Sequence, residues 1–399
     1  MAQRNLIVGL LVVAFLFPSE GVFAKRRGRG KKYYPPLTHP VVLWSRTLSD
    51  SPDIEQRKVA AFKLSQYSQS IYQEEVINTL LKCLKDTDEH IKVFCAKALG
   101  KANSKSKAEV IRKALLEQYK QDPHMRGTLI RTFTTRKDNS PAVQDTLVET
   151  LKQSNETEEI LPSLEYFEQF GSSQTIDPLI ALYQKTDNLK VKRSVVKALS
   201  ERGQGQDSVV SLLTDCLNNK DTTLVLNCLS ALQVQAKKDA KTLSAVEKTI
   251  ESSDPDVILA SLEVIQSLPE SPNEKISTRL IELIEENSDT DVLEKSILAL
   301  GVCGDYSETA VKTLQKNLEK KDLDEAIRIS AALSLGKQSG KFPEGPSNAL
   351  TDCKTSATST SLKMACQLAL QELQVRAKKM QSSKPSDKSD SEKPKKSES

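Results

Sequence analysis

Cysteines are the residues of this 399-residue chain whose spacing suggests chemistry most directly. Six of the seven fall into three short pairs, Cys83 with Cys95, Cys216 with Cys228, and Cys353 with Cys366, and Cys303 stands alone. Thiols paired in this way become disulfides in an oxidising compartment, or hold a metal where histidine or further cysteine joins them. No histidine or third cysteine accompanies any pair, so a metal is the poorer reading. The bland alternative is that all six are small buried positions where cysteine replaces alanine or serine. Counted from the turn between them, the first member of each pair lies about half a helical turn to one turn closer than the second, so a bridge requires some stagger.

Little else in the chain could carry catalysis. There are three histidines: His39 in a proline-rich stretch, and His90 and His124, which are expected in the first turn of a helix and facing solvent. No glycine-rich phosphate loop, HExxH, GxSxG or Cys–His constellation occurs. The expectation is a protein that is not an enzyme, with no cofactor, no metal and no small-molecule substrate.

A second candidate contact is the stretch Lys25–Lys32, KRRGRGKK. Lys25, Arg26, Arg27, Arg29, Lys31 and Lys32 are spaced by glycine and followed by two tyrosines, which reads as a flexible basic arm. Such an arm is either simply solvated or captures an anionic surface such as phospholipid heads, envelope polymers or nucleic acid. Before it lies Leu6–Phe17, a twelve-residue apolar run behind Arg4, then Val22 and Ala24 at positions where a signal peptidase needs small residues. That pattern predicts a leader cleaved between Ala24 and Lys25 and export to a bacterial periplasm or the medium. The six cations after the run pull the other way. They favour an uncleaved anchor with the body in the cytosol.

The formal net charge of +4 conceals an uneven distribution. Residues 1–36 carry seven Lys/Arg and one acid, residues 377–399 carry seven Lys and four acids, and the body between has 43 basic and 48 acidic residues. A mildly acidic body gives no reason to expect nucleic acid along its surface. Only 5% of residues are aromatic and 28% are charged, a composition suited to helices rather than one large core.

The elements that must position the cysteines emerge from a repeat. Asp86–Gly100, DTDEHIKVFCAKALG, returns in outline as Asn287–Gly301 and Asp322–Gly336. Taking Asp86 as position 1, matching starts fall at Ser51, Asp86, Lys120, Ser154, Thr186, Asn219, Ser252, Asn287, Asp322 and Ala357, at intervals of 32–35 residues. Position 14 is bulky and apolar in every unit, and position 10 is small or apolar. Positions 6, 10, 13 and 14 share one face of a helix. Asp, Ser, Thr and Asn at positions 1–3 cap this second helix and separate it from an apolar helix upstream, such as Val76–Leu84, Thr175–Tyr183 or Ile276–Ile284. Each unit is then an antiparallel helix pair that cannot bury its apolar face alone, so the pairs must stack. In such a hairpin the two cysteines of each pair face one another.

The Asp…Val-Lys/Arg…Ala-Leu-Gly pattern resembles the HEAT-repeat family, particularly its bacterial HEAT-like members, over about residues 38–376. The resemblance implies an all-α, right-handed α-solenoid of about ten stacked helix pairs, with the second helix of each pair lining the concave side. It also implies that the cation at position 7 (Arg57, Lys92, Arg126, Lys192, Arg328, Lys363) joins acidic turn residues of neighbouring units. Ile160, Val225, Ile258 and Leu293 replace that cation and are expected to serve stacking. The fourth unit departs most, with Glu159 at position 6 and Pro162 at position 9, which predicts a kink or an irregular pair. Enzymes of related architecture use repeated His-Glu pairs or a cationic groove with aromatics. Here Glu89-His90 is a lone pair and Trp44 is the single tryptophan.

The division expected is a leader over 1–24, the basic arm over 25–37, the solenoid over 38–376 and a Lys/Ser-rich disordered tail over 377–399. The function expected is that of a non-catalytic exported scaffold whose curved surface binds a protein or peptide. The alternatives are a membrane-tethered cytosolic adaptor and, less favoured, an enzyme on the same scaffold.

Overall fold

A computed structural model describes residues 39–235, 240–270, 272–286, 289–304, 307–338 and 344–382. The expected leader, the Ala24–Lys25 cleavage point, the arm residues Lys25 to Lys32 and the end of the tail lie outside these described residues. Among the described residues there are twenty α-helices and no β-strand, only a single bridge between Ile71 and Ala102. From Val41 onward the chain belongs to one compact unit.

The helices alternate as A and B members of ten pairs. The A helices are α1 (Pro40–Asp50), α3 (Glu74–Cys83), α5 (Ala108–Gln121), α7 (Pro141–Gln153), α9 (Ile176–Lys185), α11 (Asp207–Cys216), α13 (Ala240–Thr249), α15 (Glu274–Glu286), α17 (Glu308–Glu319) and α19 (Glu344–Ser356). The B helices are α2 (Ile54–Gln66), α4 (Glu89–Gly100), α6 (Arg126–Arg136), α8 (Thr157–Phe170), α10 (Leu189–Arg202), α12 (Thr222–Gln235), α14 (Pro255–Ser267), α16 (Thr290–Cys303), α18 (Glu325–Lys337) and α20 (Thr360–Ser382). Nine B helices begin at position 4 of the sequence template.

The template positions have the roles their chemistry requires. Position 3 is the N-cap: Asp53, Asp88, Asn188, Asp254, Asp289 and Asp324 each accept a hydrogen bond from a backbone N–H of the first turn, and Asp221 does the same for Leu224 at 2.7 Å. This satisfies donors that a helix start otherwise leaves open. Position 14 is buried from Leu64 to Leu335, and position 10 is buried in all ten units. Position 7 is buried at Ile160, Val225, Ile258 and Leu293, which places these four in the stacking contacts.

The glycine at position 15 explains the recurring Ala-Leu-Gly. A Cβ on Gly336 would lie 2.7 Å from the Ala369 Cα, and one on Gly301 would lie 2.7 Å from the Ser334 hydroxyl. Ser334 and Ala369 are the small residues at position 13 of the following units. Glycine on one B helix and a small residue on the next therefore set how closely the two approach.

The ends of the stack are polar where interior units are apolar. Position 11 is buried in the first nine units, and in the tenth it is the exposed Gln367. Position 13 is small or buried from the second unit on, and in the first it is the exposed Lys63. Polar outer faces are what terminal units need for solubility.

In the fourth unit, where a kink or an irregular pair is expected, α8 is helical throughout, Pro162 included. The carbonyl that Pro162 cannot pair with, Glu158 O, faces Gly127 of α6, where a Cβ would lie 2.5 Å away. The irregularity appears one unit earlier. Asp122, at the N-cap position, accepts the Lys92 ammonium at 2.5 Å rather than capping the helix. A 3₁₀ turn, Pro123–Met125, follows and α6 starts late, so His124 lies in that turn and not in an α-helical first turn.

Candidate functional site

Consecutive B helices pack against one another along their length, whereas consecutive A helices touch sparsely. The closer-spaced layer is the inner one, so the stack curves towards its B helices. The exposed side of that layer, at positions 8, 12 and 16, is the candidate site.

Its character changes along the stack. Position 12 reads Phe62, Lys97, Arg131, Glu165, Lys197, Ser230, Glu263, Leu298, Leu333 and Leu368. The cationic part contains a hollow of about 500 Å³ lined by Ser65, Gln66, Lys97, Lys101, Thr128, Arg131, Thr132 and Thr135. A second hollow of about 430 Å³ lies between α10 and α12 and includes Lys197, Ser200, Asn227 and Ser230. In that second hollow Lys197 is neutralised by Glu168 at 2.9 Å, whose hydrogen bond raises the lysine pKa.

Cations tie one unit to the next on the turn side. Arg57 meets Asp86 at 4.0 Å, Lys92 meets Asp122, and Arg126 meets Glu159 at 3.4 Å. Position 7 thus forms the expected ladder over the first three units. It then changes form: Lys192 sits over the Tyr183 ring at 5.2 Å, its neighbour Arg193 takes Asp221, and Arg328 donates to Leu318 O at 3.0 Å.

A cavity of about 790 Å³ lies on the turn side between α5, α7 and the start of α8. Glu159 projects there from a position that is apolar in most other units. It is 8% exposed and is held by Arg126. Tyr119 donates to Thr150 at 2.5 Å, because Thr150 gives its own proton to Thr146 O. Burial raises the Tyr119 pKa, which keeps the phenol neutral. Arg126 and Glu159, and Tyr119 and Thr150, thus satisfy one another.

The cysteines come together as the hairpin geometry predicts. The sulfurs of Cys83 and Cys95, of Cys216 and Cys228, and of Cys353 and Cys366 lie within bonding distance, with Cα–Cα separations of 6.1, 6.3 and 6.2 Å. Those spans lie inside the range a disulfide bridges. Cys303 is free and buried, and burial pushes its thiol up to about 12. His39, His90 and His124 are exposed and belong to different segments. Among the described residues no group of three or more His, Cys, Asp or Glu could hold a metal ion.

One set of inter-unit contacts was not foreseen. Lys101 donates to Ser65 O and Tyr67 O at 2.7 and 2.6 Å. Arg136 donates to Leu99 O and Ala102 O at 2.8 and 2.9 Å, and Arg202 to Glu168 O at 2.8 Å and to Gln169 O. Gln235 and Gln338 reach Ser200 O and Leu300 O, both at 3.4 Å. Each is a donor near the end of one B helix that satisfies the open carbonyls ending the previous B helix.

No protein-family model and no curated protein sequence matches the chain. Solved structures do. A crystal structure of an engineered protein from a structural genomics consortium aligns with a TM-score of 0.56 and 17% identity, over 84% of this chain and 99% of that one. Importin beta aligns with a TM-score of 0.50 and 14% identity, over 84% of this chain and 51% of its own. The fold is a helical-repeat solenoid. Importin beta is a HEAT-repeat solenoid, and identities this low speak for the fold alone.

Proposed function

We propose that the protein is a non-catalytic HEAT-like scaffold that binds a protein or peptide partner on the inner surface of its B helices. The observation that carries this reading is that surface itself. It is continuous over ten units, and position 12 runs from Phe62 through a charged stretch with Lys97, Arg131, Glu165, Lys197 and Glu263 to three leucines, while cations on the turn side tie units together. Solenoids use such surfaces for extended partners.

Three cysteine pairs at bonding distance support an oxidising compartment, and so an exported protein rather than a tethered cytosolic adaptor. Among the described residues no helix is long and apolar enough to cross a membrane. In this reading the leader is removed after Ala24, and the arm from Lys25 to Lys32 meets an anionic envelope surface.

The test is photo-crosslinking in the native host, with the crosslinker placed in turn at Lys97, Ser230 and Leu333 on the inner face and at Lys113 and Lys152 on A helices. Reproducible adducts to one protein from inner positions only are expected. Equal labelling from both faces would refute the assignment.

A further inference from the structure

The hollow at the C-terminal ends of α2, α4 and α6 is cationic. Elsewhere cations repeatedly meet carboxylates of adjoining units, as in Lys58–Asp88 at 3.1 Å, Arg193–Asp221 at 2.9 Å and Lys295–Glu263 at 2.6 Å. Lys97, Lys101 and Arg131 line one hollow with only neutral hydroxyl and amide side chains around them. Lys97 and Arg131 are exposed, and Arg131 donates within its own helix to Gly127 O at 3.3 Å. Lys101 gives two of its protons to backbone carbonyls and keeps the third. Burial without a carboxylate lowers the Lys101 pKa, whereas Lys58, hydrogen-bonded to Asp88, has a raised one. Three uncompensated cations in a body of net negative charge favour an anion between them.

Beside the hollow, in the preceding unit, Phe62 is 47% exposed and Val59 is 53% exposed. The Phe62 ring stands edge-on to Phe94 at 5.4 Å. Phe62, Lys97 and Arg131 occupy position 12 of three successive units, so they form a row of one apolar and two cationic contacts. Packed helices stand about 8–10 Å apart. A polyproline II strand repeats every three residues and rises about 9 Å in doing so, so every third side chain faces the same way at nearly that spacing.

From this match we infer that the row Phe62–Lys97–Arg131 docks an extended acidic peptide segment, with an apolar residue over Phe62 and carboxylates three and six residues away against Lys97 and Arg131. Lys101 and the hydroxyls of Thr128 and Thr135 border the carboxylates. The inference deepens the protein-binding reading and rests on it, since it names the chemistry of the partner at one end of the inner face. Main-chain pre-organisation in the peptide limits the ordering cost, as in other proline-rich recognition.

The probe is a fluorescent peptide with the core Leu-Pro-Pro-Glu-Pro-Pro-Glu, titrated by anisotropy into the full chain. Its twins carry Gln for both Glu, or a third proline in each spacer. The variants are K97E/R131E and F62A, which alter exposed side chains, with folding checked by circular dichroism. Saturable binding that weakens with salt is expected. The double variant and the Gln twin should each lose about tenfold or more, and the respaced twin should lose comparably. Equal binding by the double variant, equal binding of the Gln twin, or no binding of the probe at millimolar concentration would overturn the assignment. Inorganic polyphosphate binding in place of the peptide would also overturn it. Inner-face crosslinks to a partner at Ser230 or Leu333, unchanged in K97E/R131E, would leave the scaffold reading intact and remove this one.

Discussion

Arg376 and Glu270 lie 106 residues apart in sequence and meet through two parallel N–H···O contacts of 2.5 Å each. Arg376 stands in the long last helix, α20, and Glu270 in the link between α14 and α15, three units earlier. Glu372 also accepts from Arg376, at 2.7 Å, and helps fix the fork. Adjacent units satisfy most other contacts, so this pair closes a loop that the stack alone does not. It requires the B layer to curl tightly over its last three units, with the end of α20 laid back across that curve.

The first prediction concerns that clasp. Arg376 holds the Glu270 carboxyl below the ordinary carboxylate range, against the effect of burial. A depressed folded pKa contributes stability above the unfolded value, and that contribution is lost as pH falls through the lower folded value. Both side chains are partly exposed, at 24% and 35%, so R376A should lower stability by only about 1 kcal/mol. Amide exchange should rise in residues 370–382 and in the link around Glu270, and should stay unchanged in α1 to α10. The charge swap E270R/R376E should restore protection. If R376A leaves exchange in α20 untouched, the pair does not hold the helix back.

A second prediction follows from two glycines at the same template position. At Gly336 an added Cβ meets the backbone of Ala369 at 2.7 Å, so G336A should destabilise by about 1–3 kcal/mol through overpacking. At Gly100 the nearest atoms are the Cβ and Cγ2 of Thr135 at 3.4 Å. G100A should therefore be neutral or stabilise by up to about 1 kcal/mol, as alanine suits a helix better. Thermal melts of the two single variants decide it, and equal losses would mean that inter-helix spacing does not vary along the stack.

These contrasts indicate what could be read in advance. The helix pairs, their caps at position 3 and the buried positions 10 and 14 follow from residue types that recur, because each serves a contact every unit repeats. The position 7 ladder fades once Lys192 lies over Tyr183 and its neighbour Arg193 takes the turn acid Asp221 instead. The donors that close helix ends are Lys101, Arg136, Arg202, Gln235 and Gln338, three residue types doing one job, so no single letter recurs. The cationic hollow and the Arg376–Glu270 pair depend on curvature between units, which no one unit encodes. Pro162 misleads because its effect depends on Gly127 in another helix.

The third prediction concerns thiols. The paired cysteines close short loops, with sequence separations of 12, 12 and 13. By chain entropy, each closed loop of that size adds about 3 kcal/mol. Protein from its native host should show no fast-reacting thiol when folded, one after denaturation and seven after denaturation with reductant. The single thiol is Cys303, silent in the folded state because burial raises its pKa to about 12. Seven thiols on denaturation alone would show that the pairs stay reduced, and would return the tethered cytosolic reading to favour.

The last prediction turns on Asp138, whose side chain is 5% exposed and which joins the third unit to the fourth. Arg112 donates to both carboxylate oxygens, at 3.0 and 2.9 Å, the Ser140 backbone N–H donates to one of them, and Tyr166 donates to the Asp138 carbonyl at 2.7 Å. Burial alone would raise the Asp138 pKa, but the hydrogen bonds from Arg112 and Ser140 outweigh it and hold the carboxyl below its usual range. The folded pKa is depressed, so the stability it confers is full above the unfolded aspartate value near 4 and is lost as pH falls through the folded one. D138N should destabilise by about 1–3 kcal/mol at neutral pH, since it takes the buried carboxylate from Arg112 and leaves the guanidinium only the exposed Glu109. It should also flatten the fall in stability between pH 5 and 2 in urea melts. An Asn variant with the same acid limb as the parent would mean that other carboxylates govern acid unfolding and that Asp138 is held by packing alone.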